Sequence, residues 1–296
     1  VFLVSHLLKT SMGNKRSFTF YLLIIPVLLW LLLMIVIPHA DLLVSSFMAE
    51  NDDGDLVFSF ANYAEFFNQK IYWLTFVKTA AYSIFVTMLA FVVAFPIAFY
   101  LGKVASKKVA SFLILLLLIP LWVGELVTVY GWIVLLGDNG VINHFLLWTG
   151  IIDEPITMLY TDFSMVIGLL YMSVLFMVIP VMSTLESMDD SLIEAACDLG
   201  ASKWVIFTRI VIPYAMPGIT SGSIIVFMLV VGNYLAPNLL GGKSSLWFTE
   251  QIYNSFLSTF NWNEGAAFGF LLLLLSSAII WLALKLSGQK LEKVGT

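Results

Sequence analysis

Glu125 is the only charged residue between Lys108 and Asp138, three positions after Trp122 and five before Tyr130. An acid in an apolar run is costly to hold in lipid, and by default it marks a binding group or a pathway. Beside Trp122 and Tyr130 it suits a cation, through charge pairing and the attraction of a cation to ring faces. A competing reading puts Glu125 near the outer interface, where it only caps a helix fragment. Tyr171, Phe176, Asn233 and Tyr234 fall in other apolar runs and are further candidates for the same pathway. Aromatic residues in such runs serve packing or the interfacial belt more often than ligands. His6, His39 and His144 are dispersed, so no metal site is expected. HExxH, GxSxG and paired intramembrane carboxylates are missing from the sequence, which leaves enzymatic chemistry without a site.

A second set of residues carries mechanical chemistry. Residues 191–204 read SLIEAACDLGASKW. Ser191 and Glu194 have the S-x-x-E spacing of a capping box, which predicts a helix from Leu192 to Leu199. Gly200 is placed for the left-handed residue that ends such a helix. Ser202 is placed to cap a second short helix, from Lys203 to about Val211, that stops before Pro213. Ala195 and Ala196 are small enough to let another surface approach. Leu192, Ile193 and Leu199 supply apolar contacts, and Cys197 is read as a small packing residue. A capped helix transmits displacement, whereas an unstructured loop absorbs it. The plainer alternative is an amphipathic interfacial linker. Residues 239–245, LLGGKSS, resemble the end of a phosphate-binding loop, but G-x4-G-K-[ST] needs glycine where Pro237 stands. A nucleotide site in this chain is therefore not expected.

The elements that position these residues follow from composition. The chain has 296 residues, 60% hydrophobic and 11% charged, far below the roughly 25% charged of soluble domains. Six stretches are long enough to cross a bilayer, which takes about 20 apolar residues. They are Phe18 to Ile37 with a possible continuation towards Met48, Thr79 to Gly102, Val109 to Leu136 broken near Pro120 and Glu125, Phe163 to Leu185, Pro217 to Tyr234, and Gly265 to Leu284. The first is followed by no small-residue cleavage site and is read as a retained helix. With the N-terminus inside, eleven Lys and Arg fall on the cytoplasmic side against three outside (Lys70, Lys78 and Lys243), which sets both termini in the cytoplasm. The outer loops are acidic, either for want of retention signals or as a docking face for a soluble partner. The expectation is an all-α polytopic membrane protein, one domain over 1–296 with a core of about 70–285 and a cytoplasmic loop at 186–213.

Glu194-Ala195-Ala196, Gly200 and Ile210-Val211-Ile212-Pro213 follow the pattern E-A-A-x3-G-x9-I-x-L-P, with Ile212 in place of Leu. This resembles the EAA loop of bacterial ABC-importer permeases. VYGWIVLL (129–136), GVINHFLLWTGIID (140–153), PVMSTLESMDDSLIEAACDLGAS (180–202) and LLGG (239–242) resemble the spermidine/putrescine-type permease, the first of its two permease subunits. The resemblance implies a type I importer architecture and a coupling helix at Ser191, Glu194, Ala195, Ala196, Gly200 and Lys203. It also implies a second permease subunit, two ATP-binding subunits that hold ATP and Mg, an extracellular or periplasmic substrate-binding protein, a bacterial inner membrane, and no nucleic acid. Polyamine cargo is the expectation. Opines, phosphonates and ferric iron are cargoes of the same wider family and stay open. Many relatives carry a basic residue where Thr128 stands here. A secondary transporter is the remaining alternative, disfavoured because Glu125 is nearly alone among intramembrane charges.

Overall fold

The structure, a computed structural model, describes residues 21–51, 54–242 and 245–288. The positive charges at 9, 15, 16, 243, 290 and 293, and the first residues of the first predicted span, lie outside these. Helix α1 runs from Tyr21 to Ser46 and is followed by a hairpin of β1 (Met48–Glu50) and β2 (Leu56–Phe58), paired antiparallel with Ala49 opposite Val57. Then come α2 (Ala61–Asn68), α3 (Lys70–Val104), α4 (Lys107–Trp122), α5 (Glu125–Leu136), α6 (Val141–Trp148) and α7 (Asp162–Glu186). The chain continues as α8 (Ser191–Asp198), α9 (Lys203–Val231), α10 (Leu235–Leu240), α11 (Phe248–Leu257) and α12 (Trp262–Leu286).

Six stretches among the described residues are long and apolar enough to cross a membrane: α1, α3, α5 with α6 (Glu125–Trp148), α7, α9 and α12. The number agrees with the sequence; α3 begins at Lys70 where Thr79 was expected, and two further differences carry more weight. The predicted span from Val109 to Leu136 is two helices separated at Val123 and Gly124, so its first half, α4, is only 16 residues long. Pro120, which has no N–H, lies in the last turn of α4, and the Val123 N–H closes that turn on the Pro120 carbonyl at 3.1 Å. The second difference is α9. The helix beginning at Lys203 does not stop before Pro213. A five-residue π-helical turn, Phe207–Val211, carries it into the membrane helix without a break. The wider turn sits two residues before the proline and absorbs its missing donor and its ring. In α1 a π turn at Leu32–Val36 precedes Pro38 at the same distance.

The centre of the molecule is α3, α7 and α9. Between helices in lipid there is no hydrophobic driving force, so close van der Waals contact must hold them. Val86, Ala90, Ala94 and Ala98, four residues apart on α3, form one fully buried face. On α9, a Cβ on Gly218 would lie 2.4 Å from the Pro180 carbonyl of α7, so that crossing is open to glycine alone. A second cluster of rings, Phe66, Phe248 and Phe268 with Tyr72 and Phe76, ties α2, α3, α11 and α12 together through edge-on contacts. Helix α1 contributes none of its apolar window to the interior, and its exposed surface is almost wholly apolar.

Candidate functional site

Two regions hold the candidate residues. The first is a cavity of about 310 Å³ among the broken third span, α7 and the end of α9, at the small end of ligand pockets (about 300–1,000 Å³). Its walls come from Pro120, Leu121, Val123, Gly124, Glu125 and Thr128, from α7 between Leu169 and Phe176, and from Leu229, Val230 and Asn233. On α7 these wall residues fall midway along the helix.

Glu125 is the first residue of α5, where unpaired N–H groups favour a negative charge. It therefore occupies a helix start and the cavity wall together, but its side chain makes no capping hydrogen bond, so the reading of Glu125 as a cap alone does not describe what it touches. Its Oε1 accepts a hydrogen bond of 2.5 Å from Asn233 Nδ2. The Asn233 side chain can face only one way. Its Oδ1 accepts the Ala236 N–H at 2.9 Å, which leaves the NH2 group for Glu125. Asn233 lies in the short non-helical segment between α9 and α10, and its own carbonyl accepts from Thr249 Oγ1 at 2.8 Å. Non-helical backbone at membrane depth is tolerated where it lines a cavity or is buried in protein. Neither of the two salt bridges among the described residues, Lys78–Asp162 and Lys103–Asp190, involves Glu125. Its carboxylate meets a neutral amide, with no cation in a salt bridge to it among the described residues. Thr128 Oγ1 returns to the Gly124 carbonyl at 3.3 Å, and the buried Ser173 hydroxyl donates to the Leu169 carbonyl at 2.7 Å.

Of the predicted pathway residues, Glu125, Tyr171, Phe176 and Asn233 meet at this cavity. Trp122, Tyr130 and Tyr234 do not line it. Trp122 is 90% exposed at the end of α4, Tyr130 points outward from α5, and Tyr234 stacks on Tyr253 with ring centroids 4.1 Å apart. The pairing of Glu125 with Trp122 and Tyr130 expected from sequence proximity is thus replaced by a pairing with Asn233. Ser173 was missed, because one serine in a long apolar helix carries no mark of which way it faces.

The second region is the loop between α7 and α9. Gly200 has φ +77°, and its N–H bonds the Cys197 carbonyl at 2.9 Å while the Ala201 N–H bonds the Ala196 carbonyl at 3.0 Å. These are the two bonds of a Schellman ending. Ser202 Oγ accepts the Val205 N–H at 3.4 Å, as predicted for the cap of the next helix. The capping box at the start of α8 is not formed. Ser191 is already the first helical residue, and its N–H is taken by Asp189 Oδ1 at 3.0 Å. That backbone bond holds the Asp189 carboxyl below its ordinary range. Glu194 is freed from capping, and its carboxylate is exposed without a partner among the described residues. Ala195 faces outward, as do Lys203 and Cys197, so Cys197 is not a packing residue. Ala196 turns inward and is buried in the core with Val211 and Ile206. It cannot admit an approaching surface. The outward face of the loop is completed by Leu192 and by Leu199, the latter 88% exposed.

A model of the family described as "Binding-protein-dependent transport system inner membrane component" matches residues 87–293. The spermidine/putrescine transport system permease protein PotB of Salmonella typhimurium (strain SL1344) is 34% identical over 288 residues, covering 96% of this chain and 99% of that protein. PotB of Haemophilus influenzae is 33% identical over 270 residues, covering 89% and 93%. Among solved structures, a bacterial alginate ABC transporter in complex with its alginate pentasaccharide-bound periplasmic protein matches in fold with a TM-score of 0.74 at 17% identity, over 96% of this chain and 98% of that one.

Proposed function

The chain belongs to the family of inner membrane components of binding-protein-dependent transport systems, and from that premise we propose that it lines the path of a small organic cation of the spermidine or putrescine class. The observation that carries this reading is the carboxylate of Glu125, in no salt bridge among the described residues, in a cavity at the break of a membrane helix and held by Asn233. Such a group pairs with an ammonium and repels an anion, which argues against phosphonate as cargo. The relatives named for spermidine/putrescine transport support the same class.

The reading extends to the partners. Residues 21–288 act as one transmembrane unit, and α8 with Glu194, Ala195, Gly200, Ser191 and Lys203 docks on an ATP-binding subunit. Two such subunits bind the ATP and Mg, a second permease completes the path, and a periplasmic binding protein delivers the cargo. The chain itself hydrolyses nothing. Alternating access is then a rigid-body change between two packed states. The test is uptake of radiolabelled putrescine or spermidine into proteoliposomes holding the whole transporter. Uptake is expected only with the binding protein outside and ATP inside. Competition by an anionic solute in place of amines, or uptake without ATP, overturns the proposal.

A further inference from the structure

Lys103 lies in the last, π-helical turn of α3, and its side chain is only 7% exposed. A buried ammonium must find partners. Its Nζ donates to the Met188 carbonyl and, at 2.7 Å, to Asp190 Oδ1. Both acceptors belong to the link that joins α7 to α8, residues 187–190. They are electrically matched to a cation. The Met188 carbonyl lies just past the C-terminal end of α7, where carbonyls lack helical partners, and Asp190, the residue before α8, brings a carboxylate that makes no capping bond and is left for the ammonium. Next to Lys103, a Cβ on Gly102 would come within 3.2 Å of the Met182 carbonyl and 3.4 Å of Leu185 Cβ. Helices α3 and α7 therefore touch nearly backbone to backbone one residue away from the ammonium. A third helix joins the same link, since Tyr214 of α9 donates to the Ser187 carbonyl at 3.1 Å.

We propose that Lys103 is the positioning residue of α8. Its ammonium bolts the α7–α8 link to the end of α3, so that a push on α8 moves α3 and α7 together. Without it, residues 187–190 flex and absorb the displacement. This rests on the reading of α8 as the docking helix for the ATP-binding subunit.

The test uses the complete transporter in proteoliposomes, with putrescine and spermidine as probes, and reads solute moved per ATP hydrolysed. Lys103→Met is expected to lower that ratio roughly fivefold, within the range of single-residue coupling changes. Lys103→Arg, which keeps charge and reach, retains at least about half of it. Asp190→Asn lowers it about twofold, and because Asp190 is 73% exposed this variant does not endanger the fold. A merely structural role would reduce assembly and ATPase activity together and leave the ratio intact. An unchanged ratio in assembled Lys103→Met and Asp190→Asn complexes overturns the proposal. Should Lys103→Met fail to assemble, the ratio in Asp190→Asn decides in the same way. A parallel Gly200→Val complex separates the two levels. If it uncouples while the ratio at 103 and 190 holds, only the role of Lys103 falls; if it too is unaffected, the docking reading falls with it.

Discussion

The caps and turns of the cytoplasmic loop close within five residues: Asp189 to Ser191, Ala201 to Ala196, Val205 to Ser202. The bond that shapes the membrane cavity, Asn233 to Glu125, spans 108 residues. One region is a rigid part made from neighbours in sequence and only then attached to the bundle. The other has no existence until α4, α5, α7 and α9 are packed. This difference suits the two roles. A docking helix must keep its shape while it moves, and local hydrogen bonds move with it. A transport cavity must open and close, and a contact between distant helices is the kind that changes when helices shift.

The two regions should therefore fail separately. The largest effect is expected from Gly200→Val. A Cβ there meets nothing within 4 Å, so the penalty is conformational, about 1–2 kcal/mol for a left-handed non-glycine residue, and steeper for a β-branched one. Solute moved per ATP should fall roughly tenfold in proteoliposomes, with the KM for uptake unchanged; a shifted KM would mean that the loop and the cavity are not independent. Next comes Glu125→Gln. Gln keeps an acceptor, so the loss is at the low end for a charge-assisted contact, about 1.5 kcal/mol, which raises the KM for a polyamine roughly tenfold and leaves the ratio per ATP alone. Unchanged affinity and rate would remove Glu125 from the pathway. The smallest effect belongs to Ser202→Ala, which removes a cap of about 1 kcal/mol. Hydrogen exchange at the Val205 amide should speed up roughly fivefold while exchange along α7 stays as it was.

What could be read in advance follows the same division. Gly200 and Ser202 were legible because a positive φ and an N-cap each demand a particular residue type at a particular place. Ser191 misled for a related reason. The S-x-x-E spacing was present, but Asp189 stands two residues earlier and its carboxylate reached the Ser191 N–H first. The break after Pro120 was legible from proline chemistry, while the uninterrupted course of α9 through Pro213 was not, since a π turn leaves no mark in composition. Among the pathway candidates, Tyr171, Phe176 and Asn233 reached the cavity, whereas Trp122, Tyr130 and Tyr234 did not.

The sequence by itself determined the solvent, the number of spans, and the helix ends at Gly200 and Ser202. Apolar length sets membrane crossing, and backbone donors at helix ends must be met by nearby side chains. Only the tertiary structure decided facing: that Ala196 turns inward, that Lys103 reaches Asp190, that Glu125 meets Asn233. In a soluble helix the polar face reveals which side is buried. In lipid both sides are apolar, so hydropathy is silent, and facing is settled by where small residues such as Gly218 and Ala94 allow two backbones to close together.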